Sequence, residues 1–560
     1  MFLPTTIDEM QKLGWDRLDV ILISGDTYID SSFSGISVIG RVLLDAGFRV
    51  GIIAQPDIDS DDDIRRLGEP GLFWGVSSGS VDSMISNYTA TGKFRNSCDL
   101  TPGVNNTRRP DRALIVYSNL IRRNFKKTAP VVLGGIEASL RRTAHYDYWS
   151  DSVRRSVLFD AKADILVYGM GERAIIEIAR ALKSGADTSE IRGTCYISKT
   201  KKEDYIELPS YEETSGSKNA FTRMFHLLYQ NSESLKAKGL IQKHKDRYLV
   251  HNPPANYLTP KELDHVYNLP YERAVHPYYA SQGEVRALDT IQFSITTHRG
   301  CIGECNFCAI HLHQGRNVIS RSEGSIQREA EEIARHPGFR GIIADIGGPT
   351  ANMYGIECGR GSGFSCAGKR CLFPDVCGKL KIGHKRQIDL LGRISRIKSV
   401  KKVFVASGIR HDLVMHDGKM GVKYLEALIK SHISGRMKVA PEHSNRDVLN
   451  LMGKPSIKIL NDFMDLFYNT AERLKKRLYL TYYIIAAHPG CGESAMLELR
   501  QYIKKKIKIN PEQVQIFTPA PSTYSALMYH TGRNPFTGGK IFIEKNNKEK
   551  EKQKKIIVED

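Results

Sequence analysis

The chain has 560 residues, of which 41% are hydrophobic and 26% charged, a composition typical of soluble globular proteins and long enough for about two to four domains. It contains no apolar run long enough to cross a membrane, and residues 1–15 lack the cationic and apolar stretches of a secretory signal, so we expect a cytoplasmic protein. The formal net charge is +19, and seven of the 10 cysteines lie between positions 301 and 377. Clustered thiols in a long cytosolic chain favour metal binding over a disulfide framework.

Short apolar strands alternate with helical patterns in the first part of the chain. The apolar run at 18–23 is followed by helical spacing of apolar residues over 36–43, and another apolar run occupies 49–54. Strands of the same kind are predicted at 72–77, 113–118, 130–139 and 164–174. Strand–helix–strand units imply parallel pairing, and near-continuous apolar strands imply a sheet covered on both faces. We therefore predict an α/β fold that begins with a Rossmann-like domain at residues 1–195.

A second strand–helix alternation follows a less regular region. Residues 196–285, with several prolines and tyrosines, are interpreted as a connecting segment. Six apolar strands with helices between them are then predicted at 291–297, 341–346, 402–406, 437–440, 479–486 and 513–518. This pattern predicts a partial parallel (β/α)6 barrel over residues 286–535, whose functional groups should lie at the rim where the strands end.

The last residues, 536–560, are expected to form a basic disordered tail. They carry seven lysines from Lys540 onward and few apolar residues. A solvated tail is the simple interpretation, and a contact with RNA or DNA is the alternative.

Three cysteines lie directly after the first predicted strand of the barrel, in the string RGCIGECNFCAIH. Cys301, Cys305 and Cys308 are separated by three and then two residues. Thiolates at this spacing suit iron–sulfur clusters and zinc. A four-iron cluster held by three cysteines leaves one iron open to a ligand, whereas a closed zinc site would need a fourth ligand such as His311 or His313.

This spacing, with the aromatic residue Phe307 before the third cysteine, resembles the signature of the radical S-adenosylmethionine (SAM) enzymes. The resemblance is closer still to the YgiQ-type radical SAM proteins, and long strings across most of the chain carry it. These strings are GFRVGIIAQPD (47–57), GGIEASLRRTAHYDYWSD (134–151), RYLVHNPPA (247–255), ITTHRGCIGECNFCAIHLHQGR (295–316), DIGGPTANMYG (345–355), KVAPEH (438–443) and HPG (488–490).

The resemblance implies that Cys301, Cys305 and Cys308 ligate a [4Fe-4S] cluster whose open iron is chelated by the amino and carboxylate groups of SAM. It also implies reduction by an electron donor such as flavodoxin or ferredoxin, and cleavage of SAM to a 5′-deoxyadenosyl radical that acts on an unknown substrate. The cofactors carry this chemistry, and the protein positions them.

Further rim residues follow from the same resemblance. Gly347 and Gly348 match the glycine motif whose backbone meets the SAM amino group, although Pro349 replaces its usual acidic residue. The residues expected to complete the cofactor-binding set are Phe307, Ser407, Arg410 and Glu442. The stretch 438–454 is also similar to a segment of radical SAM methylthiotransferases, which modify tRNA or a ribosomal protein, so a nucleic-acid substrate is one option.

A second group of thiols lies in an insertion at residues 355–380, after the second barrel strand. Cys358, Cys366, Cys371 and Cys377 are separated by seven, four and five residues. Four thiolates suit either an auxiliary iron–sulfur cluster or zinc, and this spacing does not select between them. Thiols without a metal are the remaining interpretation.

The first domain resembles the cobalamin-binding domain that precedes some radical SAM barrels. The loop after its first strand, residues 26–30, has Tyr28 where that domain often has a cobalt-ligating histidine. We therefore expect a domain without cobalamin that shapes the substrate cleft, with base-off cobalamin as the alternative. The arginine-rich stretch 140–155 could bind phosphate or nucleic acid, or could pack with solvated arginines.

The main functional prediction is a radical SAM enzyme of unassigned reaction. Two alternatives stay open at this point. One is cobalamin-assisted methyl transfer, and the other is a non-enzymatic iron–sulfur or zinc protein that senses redox state or binds nucleic acid.

Overall fold

The computed structural model describes residues 1–361, 366, 368 and 370–559. The chain divides into two compact units. The first comprises Met1–Leu258 and His265–Gln292, and the second comprises Thr259–Asp264 and Phe293–Asp560. Within the described residues, none of the helices combines the length and the apolar character that crossing a membrane requires.

The first unit is built on one nine-stranded sheet with the order β10-β11-β12-β9-β8-β5-β4-β1-β3. The strands of this unit are β1 (Val20–Ser24), β2 (Ile29–Asp30), β3 (Val50–Ala54), β4 (Phe73–Ser77), β5 (Val131–Gly134), β6 (His145–Asp147), β7 (Ser152–Arg154), β8 (Ile165–Val167), β9 (Thr194–Ser198), β10 (Ile206–Leu208), β11 (Leu240–His244), β12 (Arg247–His251) and β13 (Ala274–Val275). Five neighbours, β3, β1, β4, β5 and β8, pair in parallel. The predicted Rossmann-like sheet is confirmed.

The helices that precede the barrel are α1 (Ile7–Lys12), α2 (Gly35–Asp45), α3 (Asp62–Arg65), α4 (Ser83–Asn87), α5 (Ala113–Asn124), α6 (Gly135–Leu140), α7 (Val157–Asp160), α8 (Glu172–Ser184), α9 (Tyr211–Gly216), α10 (Lys218–Gln230), α11 (Pro260–Tyr267), α12 (Pro277–Ala280) and α13 (Ala287–Ile291). They belong to the first unit except for α11, whose residues up to Asp264 belong to the second. Two separate apolar clusters pack against the strands, as expected for a sheet buried on both faces.

One predicted strand, 113–118, is wrong, because these residues begin helix α5. Leu114, Tyr117 and Ile121 are fully buried at helical spacing on one face of that helix. A six-residue apolar run fits a buried strand and a buried helix equally well, so its periodicity does not separate them.

The boundary predicted at residue 195 is also wrong, because the sheet continues through β9 to β12. Strands β11 and β12 form an antiparallel hairpin, and β12 pairs with β9. Leu240, Ile241 and Val250 are fully buried in this extension. The turn uses Lys245 at φ +55 with no glycine or proline, so the hairpin lacked the usual sequence signal.

The second unit contains the predicted partial barrel. Its strands are β14 (Ser294–Thr296), β15 (His298–Arg299), β16 (Ile319–Ser320), β17 (Ile342–Ile343), β18 (Asp345–Gly347), β19 (Glu357–Cys358), β20 (Leu380–Lys381), β21 (Lys402–Val403), β22 (Arg436–Glu442), β23 (Tyr479–Ala486) and β24 (Gln513–Ile516). Parallel pairs join β14 to β18, β17 to β21, β22 to β23, and β23 to β24, with a parallel bridge between Ile409 and Val439. The six-strand parallel arrangement is confirmed.

The helices of this unit surround the strands. They are α14 (Ile310–Gln314), α15 (Glu323–Arg335), α16 (His384–Ile394), α17 (His411–His416), α18 (Gly418–Ala427), α19 (Arg446–Met452), α20 (Ile457–Arg473), α21 (Glu493–Tyr502), α22 (Tyr524–Thr531) and α23 (Asn547–Val558). One large apolar cluster fills the space between helices and strands. The carboxyl ends of the strands form the rim that carries the cysteine loop.

The expected disordered tail is wrong over Asn547–Val558, which form helix α23. Lys550, Gln553 and Ile557 are buried on one face. The Gln553 side chain accepts a hydrogen bond from the Ala487 amide at 3.0 Å, and the Lys550 ammonium donates to the Tyr529 hydroxyl at 3.0 Å. The buried face contains a single apolar residue, so hydropathy could not predict its docking.

Candidate metal centre

The three predicted cysteines lie on one tight loop between β15 and α14. The Cys308 amide donates to the Cys305 carbonyl at 3.0 Å, and the Cys301 amide donates to the Gly315 carbonyl at 3.2 Å. Gly300 has φ +83, and a Cβ there would lie 1.8 Å from the Asn317 carbonyl oxygen. Only glycine fits this approach, so the RGC sequence determines how the loop leaves the strand.

The thiols share one electrostatic environment. Burial raises the pKa of Cys301, and the neighbouring Cys305 raises it further. Burial likewise raises the pKa of Cys308, with contributions from Cys305 and Cys301. Thiolates that repel one another away from water need a cation to stabilise them, and a metal supplies it. Across the described residues, no three or more His, Cys, Asp or Glu side chains are arranged as a site for a single ion.

Arg410 contacts the cysteine loop from the third strand segment. Its Nη1 donates to Cys305 Sγ at 3.5 Å, while its Nε donates to an Asp412 carboxylate oxygen at 2.8 Å and its Nη2 donates to the other. Against the effect of burial, this guanidinium lowers the pKa of Asp412 to about 2. A Cβ on Gly303 would lie 3.3 Å from the guanidinium and 3.3 Å from Cys301 Sγ, so the glycine leaves room for this contact.

The two predicted glycines pack tightly at the end of β18. A Cβ on Gly348 would lie 2.5 Å from the His298 ring, and one on Gly347 would lie 2.8 Å from the Ser407 hydroxyl oxygen. Ser407 donates its hydroxyl to Asp345, and its amide donates to the same carboxylate at 3.1 Å. The structure thus holds Ser407 against the second strand.

Glu442 lies at the end of β22 with a left-handed backbone, φ +70, which is uncommon for a residue other than glycine. Burial raises the pKa of Glu442, and the cations Lys454 and Arg410 act in the opposite direction. The Lys454 ammonium lies 3.8 Å from a Glu442 carboxylate oxygen, and its side chain is buried. Glu442 in turn raises the pKa of Cys308, so this ion pair belongs to the same pocket as the thiols.

Asn306, which the sequence analysis did not select, ties the cysteine loop to three other segments. Its amide donates to the Met452 carbonyl at 2.9 Å, and its Nδ2 donates to the Leu451 carbonyl at 2.8 Å. Its own carbonyl accepts from the Ser525 amide at 2.9 Å, and its Oδ1 accepts from Arg370 at 2.6 Å. The available sequence signal was a polar residue between Cys305 and Phe307. The Phe307 ring meets the His488 ring edge-on, with the ring centroids 6.3 Å apart.

All four cysteines of the second thiol group lie among the described residues of the insertion. Cys358 lies on β19 opposite Leu380, and the Cys377 amide donates to the Cys371 carbonyl at 2.8 Å. Cys358 and Cys366 are exposed, whereas Cys371 and Cys377 are half-buried. Residues 362–365, 367 and 369 of the insertion lie outside the described residues. The metal prediction for this group stays a prediction.

The first unit places Tyr28 in its core. The hydroxyl of Tyr28 accepts a hydrogen bond from the Leu3 amide at 3.1 Å, and its ring stacks on His276 with centroids 5.3 Å apart. Asp26, in the same loop, pairs with Arg109 and accepts from the Ser80 amide at 2.6 Å. The side chains of Tyr28 and Asp26 therefore both bond to other residues of the first unit.

The arginine-rich stretch 140–155 agrees only in part with the predicted solvated arginines, because Arg155 is exposed whereas Arg141 and Arg142 are buried. Arg141 is buried between Asp82 and Asp147, with nitrogen–oxygen distances of 2.7 and 2.8 Å. Arg142 is buried against His251, to which its Nε donates at 3.0 Å. These two arginines are neither solvated nor accessible to a nucleic acid.

Comparisons with known proteins identify the class to which the chain belongs. The family model described as Radical SAM N-terminal matches residues 2–294. The fold and the family together define a radical SAM enzyme, and the predicted resemblance is confirmed.

Full-length relatives narrow this class. The UPF0313 protein FN0734 of Fusobacterium nucleatum subsp. nucleatum is 54% identical over 560 residues, covering 100% of this chain and 99% of the relative. A UPF0313 protein of Thermotoga neapolitana is 46% identical over 561 residues, covering 100% of this chain and 98% of the relative. The chain belongs to the UPF0313 family.

Solved structures show the same fold at low sequence identity. The radical SAM methyltransferase TsrM from Kitasatospora setae, with cobalamin and a [4Fe-4S] cluster bound, matches with a TM-score of 0.52 and 14% identity over 91% of this chain and 77% of TsrM. The cobalamin-dependent SAM radical enzyme OxsB, with aqua-cobalamin bound, matches with a TM-score of 0.51 and 12% identity over 92% of this chain and 55% of OxsB. The likeness is one of fold.

Proposed function

We propose that this protein binds a [4Fe-4S] cluster through Cys301, Cys305 and Cys308 and cleaves SAM reductively to a 5′-deoxyadenosyl radical that acts on a substrate still to be identified. The observation that supports it most directly is the shared environment of the three thiols on one rim loop. The donor set fits the cluster, because three closely spaced thiolates suit a four-iron centre with one open position.

When bound, the cluster and SAM would supply electron transfer and the radical, and the residues of the pocket would position them. The Gly303 amide donates to Cys301 Sγ at 3.4 Å, and Arg410 donates to Cys305 Sγ at 3.5 Å. Hydrogen bonds of this kind stabilise negative charge on ligating sulfur. Lys454 and Glu442 line the same pocket with opposite charges that a zwitterionic amino acid group would match.

The predicted cofactor contacts, which are part of this proposal, are those of Gly347, Gly348, Ser407, Arg410, Glu442 and Phe307. Their position at the ends of neighbouring barrel strands supports it, because ligands of such barrels bind at that rim. An electron donor of the flavodoxin or ferredoxin type is proposed as the reductant, since the cluster needs one electron for each cleavage. We also propose a second metal centre at Cys358, Cys366, Cys371 and Cys377.

Cobalamin-assisted methyl transfer is the second candidate, and the fold shared with TsrM and OxsB favours it. A histidine-ligated cobalamin does not fit this chain. Tyr28 occupies the position of the ligand and is fully buried, with its hydroxyl bonded to the Leu3 amide. Cobalt analysis of protein purified from cells supplied with cobalamin tests the remaining, unligated form.

The decisive experiment is anaerobic reconstitution with iron and sulfide, reduction with dithionite and measurement of 5′-deoxyadenosine after SAM is added. We expect product from the natural protein and none from Cys305→Ala. Cys195→Ala, which removes a buried thiol from the first unit, is the matched control and should retain product. Full cluster content and full product from Cys305→Ala would contradict the proposal. The second metal centre is tested by measuring the iron content of a triple variant that lacks Cys301, Cys305 and Cys308.

A further inference from the structure

A basic groove lies on the outer wall of the barrel, between helices α15 and α16. It encloses a cavity of about 580 Å³. Four cations line it, Arg335, Arg393, Arg396 and Lys398, together with one carboxylate, Glu331. The groove therefore carries a formal excess of three positive charges, from four cations and one anion.

The groove is separate from the rim that carries the cysteine loop. Helix α15 ends at Arg335 and leads into β17, and α16 ends at Ile394 and leads into β21. The ends of both helices therefore lie where the strands start, which is the opposite end of the barrel from the rim. Radical chemistry at the cysteine loop does not account for the charges in the groove.

The charges of the groove are only weakly neutralised. Arg335 approaches Glu331 at 4.0 Å, with 74% of the arginine side chain exposed, and Arg393 approaches Glu323 at 3.1 Å. Exposed ion pairs of this kind contribute little to stability, so their guanidinium donors stay available to a ligand. Within the described part of the chain, Arg396 and Lys398 belong to no ion pair.

The backbone of the groove supports a role in binding. Ser399 directly follows Lys398 and has φ +77, a left-handed conformation that is uncommon for serine. Backbone strain of this kind is found preferentially at ligand sites and switch regions. Here it shapes the loop 395–399, which provides two of the four cations.

We propose that this groove binds the phosphate backbone of a nucleic acid. Three of its four cations are arginines, whose planar guanidinium groups match phosphate oxygens with paired hydrogen bonds. Its apolar lining consists of Ala334 and half-buried Ile397, so it lacks the aromatic or large apolar anchors on which protein interfaces depend. The net charge of the whole chain, +19, also favours association with a polyanion.

The test measures binding of fluorescein-labelled 30-nucleotide single strands of RNA and of DNA to the reconstituted full chain, by anisotropy at several salt concentrations. The charge-reversed variant is Arg396→Glu/Lys398→Glu. The matched control is Lys504→Glu/Lys506→Glu, which makes the same charge change on two exposed lysines that follow α21 and do not line the cavity. Comparison of the RNA and DNA arms identifies which of the two polymers the protein prefers.

We expect the groove variant to lose at least tenfold in affinity at physiological salt. Its slope of log K against log salt should fall by about 1.4, which corresponds to two lost phosphate contacts on a single strand. The control should stay within threefold of the natural protein. Formation of 5′-deoxyadenosine without nucleic acid should be unchanged in both variants, so a failure of the groove is distinguishable from a failure of the SAM chemistry.

Two results would overturn the proposal. The first is unchanged affinity in the groove variant; if the same variant alone shows slower cluster reduction by flavodoxin, the groove would be assigned to an acidic protein. The second is an equal loss in groove variant and control, which would mean that overall charge alone controls binding.

Discussion

The Arg410 guanidinium lies 3.5 Å from the sulfur of Cys305 and is bound from its other edge by the carboxylate of Asp412, two residues along the chain. The positive end of this ion pair is therefore nearer to the proposed cluster than its negative end. Although burial alone would lower the pKa of Arg410, Asp412 raises it, so the guanidinium stays charged. A fixed cation beside a ligating sulfur stabilises the more negative, reduced state of a cluster.

Substituting the two members of this pair should move the reduction potential in opposite directions. Arg410→Gln removes the cation and leaves Asp412 charged, so we expect a lower potential. Asp412→Asn removes the balancing charge, so we expect a higher one. The measurement is a redox titration followed by electron paramagnetic resonance, and shifts near 59 mV correspond to about a tenfold change in the ratio of the two states.

Shifts of the same sign in both variants would contradict this electrostatic role. The matched control is Arg436→Gln, which removes an exposed arginine paired with Glu512 and should leave the potential unchanged.

Adding a methyl group at Gly348 should destabilise the protein. The new Cβ would lie 2.5 Å from the His298 ring, so ring or strand must shift. Overpacking of this kind costs about 1–3 kcal/mol, measured as the free energy of unfolding in urea. Gly408→Ala is the control, since a Cβ there meets nothing within 4 Å. Equal unfolding curves for the two variants would show that His298 moves without cost.

Removing the Gln553 side chain should loosen the last helix. Gln553→Ala deprives the Ala487 amide of its acceptor at 3.0 Å and the Cys491 carbonyl of its donor at 3.3 Å. A buried group without its partner costs about 1–3 kcal/mol, so thermal unfolding should begin at a lower temperature. Lys548→Ala, on the exposed face of the same helix, should leave the unfolding temperature unchanged. Faster proteolysis near residue 547 in Gln553→Ala alone would agree with this role.

His244 makes the stability of the first unit depend on pH. Burial between the Phe159 and Tyr211 rings, with Arg155 nearby, lowers the pKa of His244 to about 4. Among the described residues, neither ring nitrogen has a hydrogen-bond partner. In the unfolded chain the same group takes up a proton at about pH 6.5. Unfolding therefore absorbs a proton between these values, and stability is lost as the pH falls from about 6.5 toward 4.

His244→Phe should flatten this dependence, because the variant has no group to protonate. The measurement is the free energy of unfolding of both proteins from pH 7.5 to 5.5. Below about pH 6.5 the natural protein should lose up to about 1.4 kcal/mol per pH unit more than the variant loses. Parallel curves would contradict this role, because they would show that His244 has the same pKa in the folded and unfolded states.

The parts of the molecule that could be predicted are those in which a short pattern determines the structure. The run 479–486 is long, apolar and followed by a turn, and it forms strand β23 over Tyr479–Ala486. The spacing of Cys301, Cys305 and Cys308 predicted one loop, and Gly300 and Gly303 explain why that loop closes.

The rest depends on contacts between residues far apart in the chain. Lys550 can be buried because the Tyr529 hydroxyl accepts a hydrogen bond from its ammonium, and Gln553 because its side chain accepts one from the Ala487 amide. Lys454 is paired with Glu442 across a helix, and the sequence alone did not show that its ammonium is buried. Tertiary contacts of this kind override the polarity on which helix and tail predictions rely.

The docking of α23 has a practical meaning for genetics. A stop codon just before Asn547 would spare every thiol and every rim residue named above, yet it would expose the backbone of Ala487 and Cys491 to solvent. Such a shortened gene product should behave as a misfolded protein and be degraded, so a loss-of-function allele mapping to the final codons would report on folding and would carry no information about chemistry.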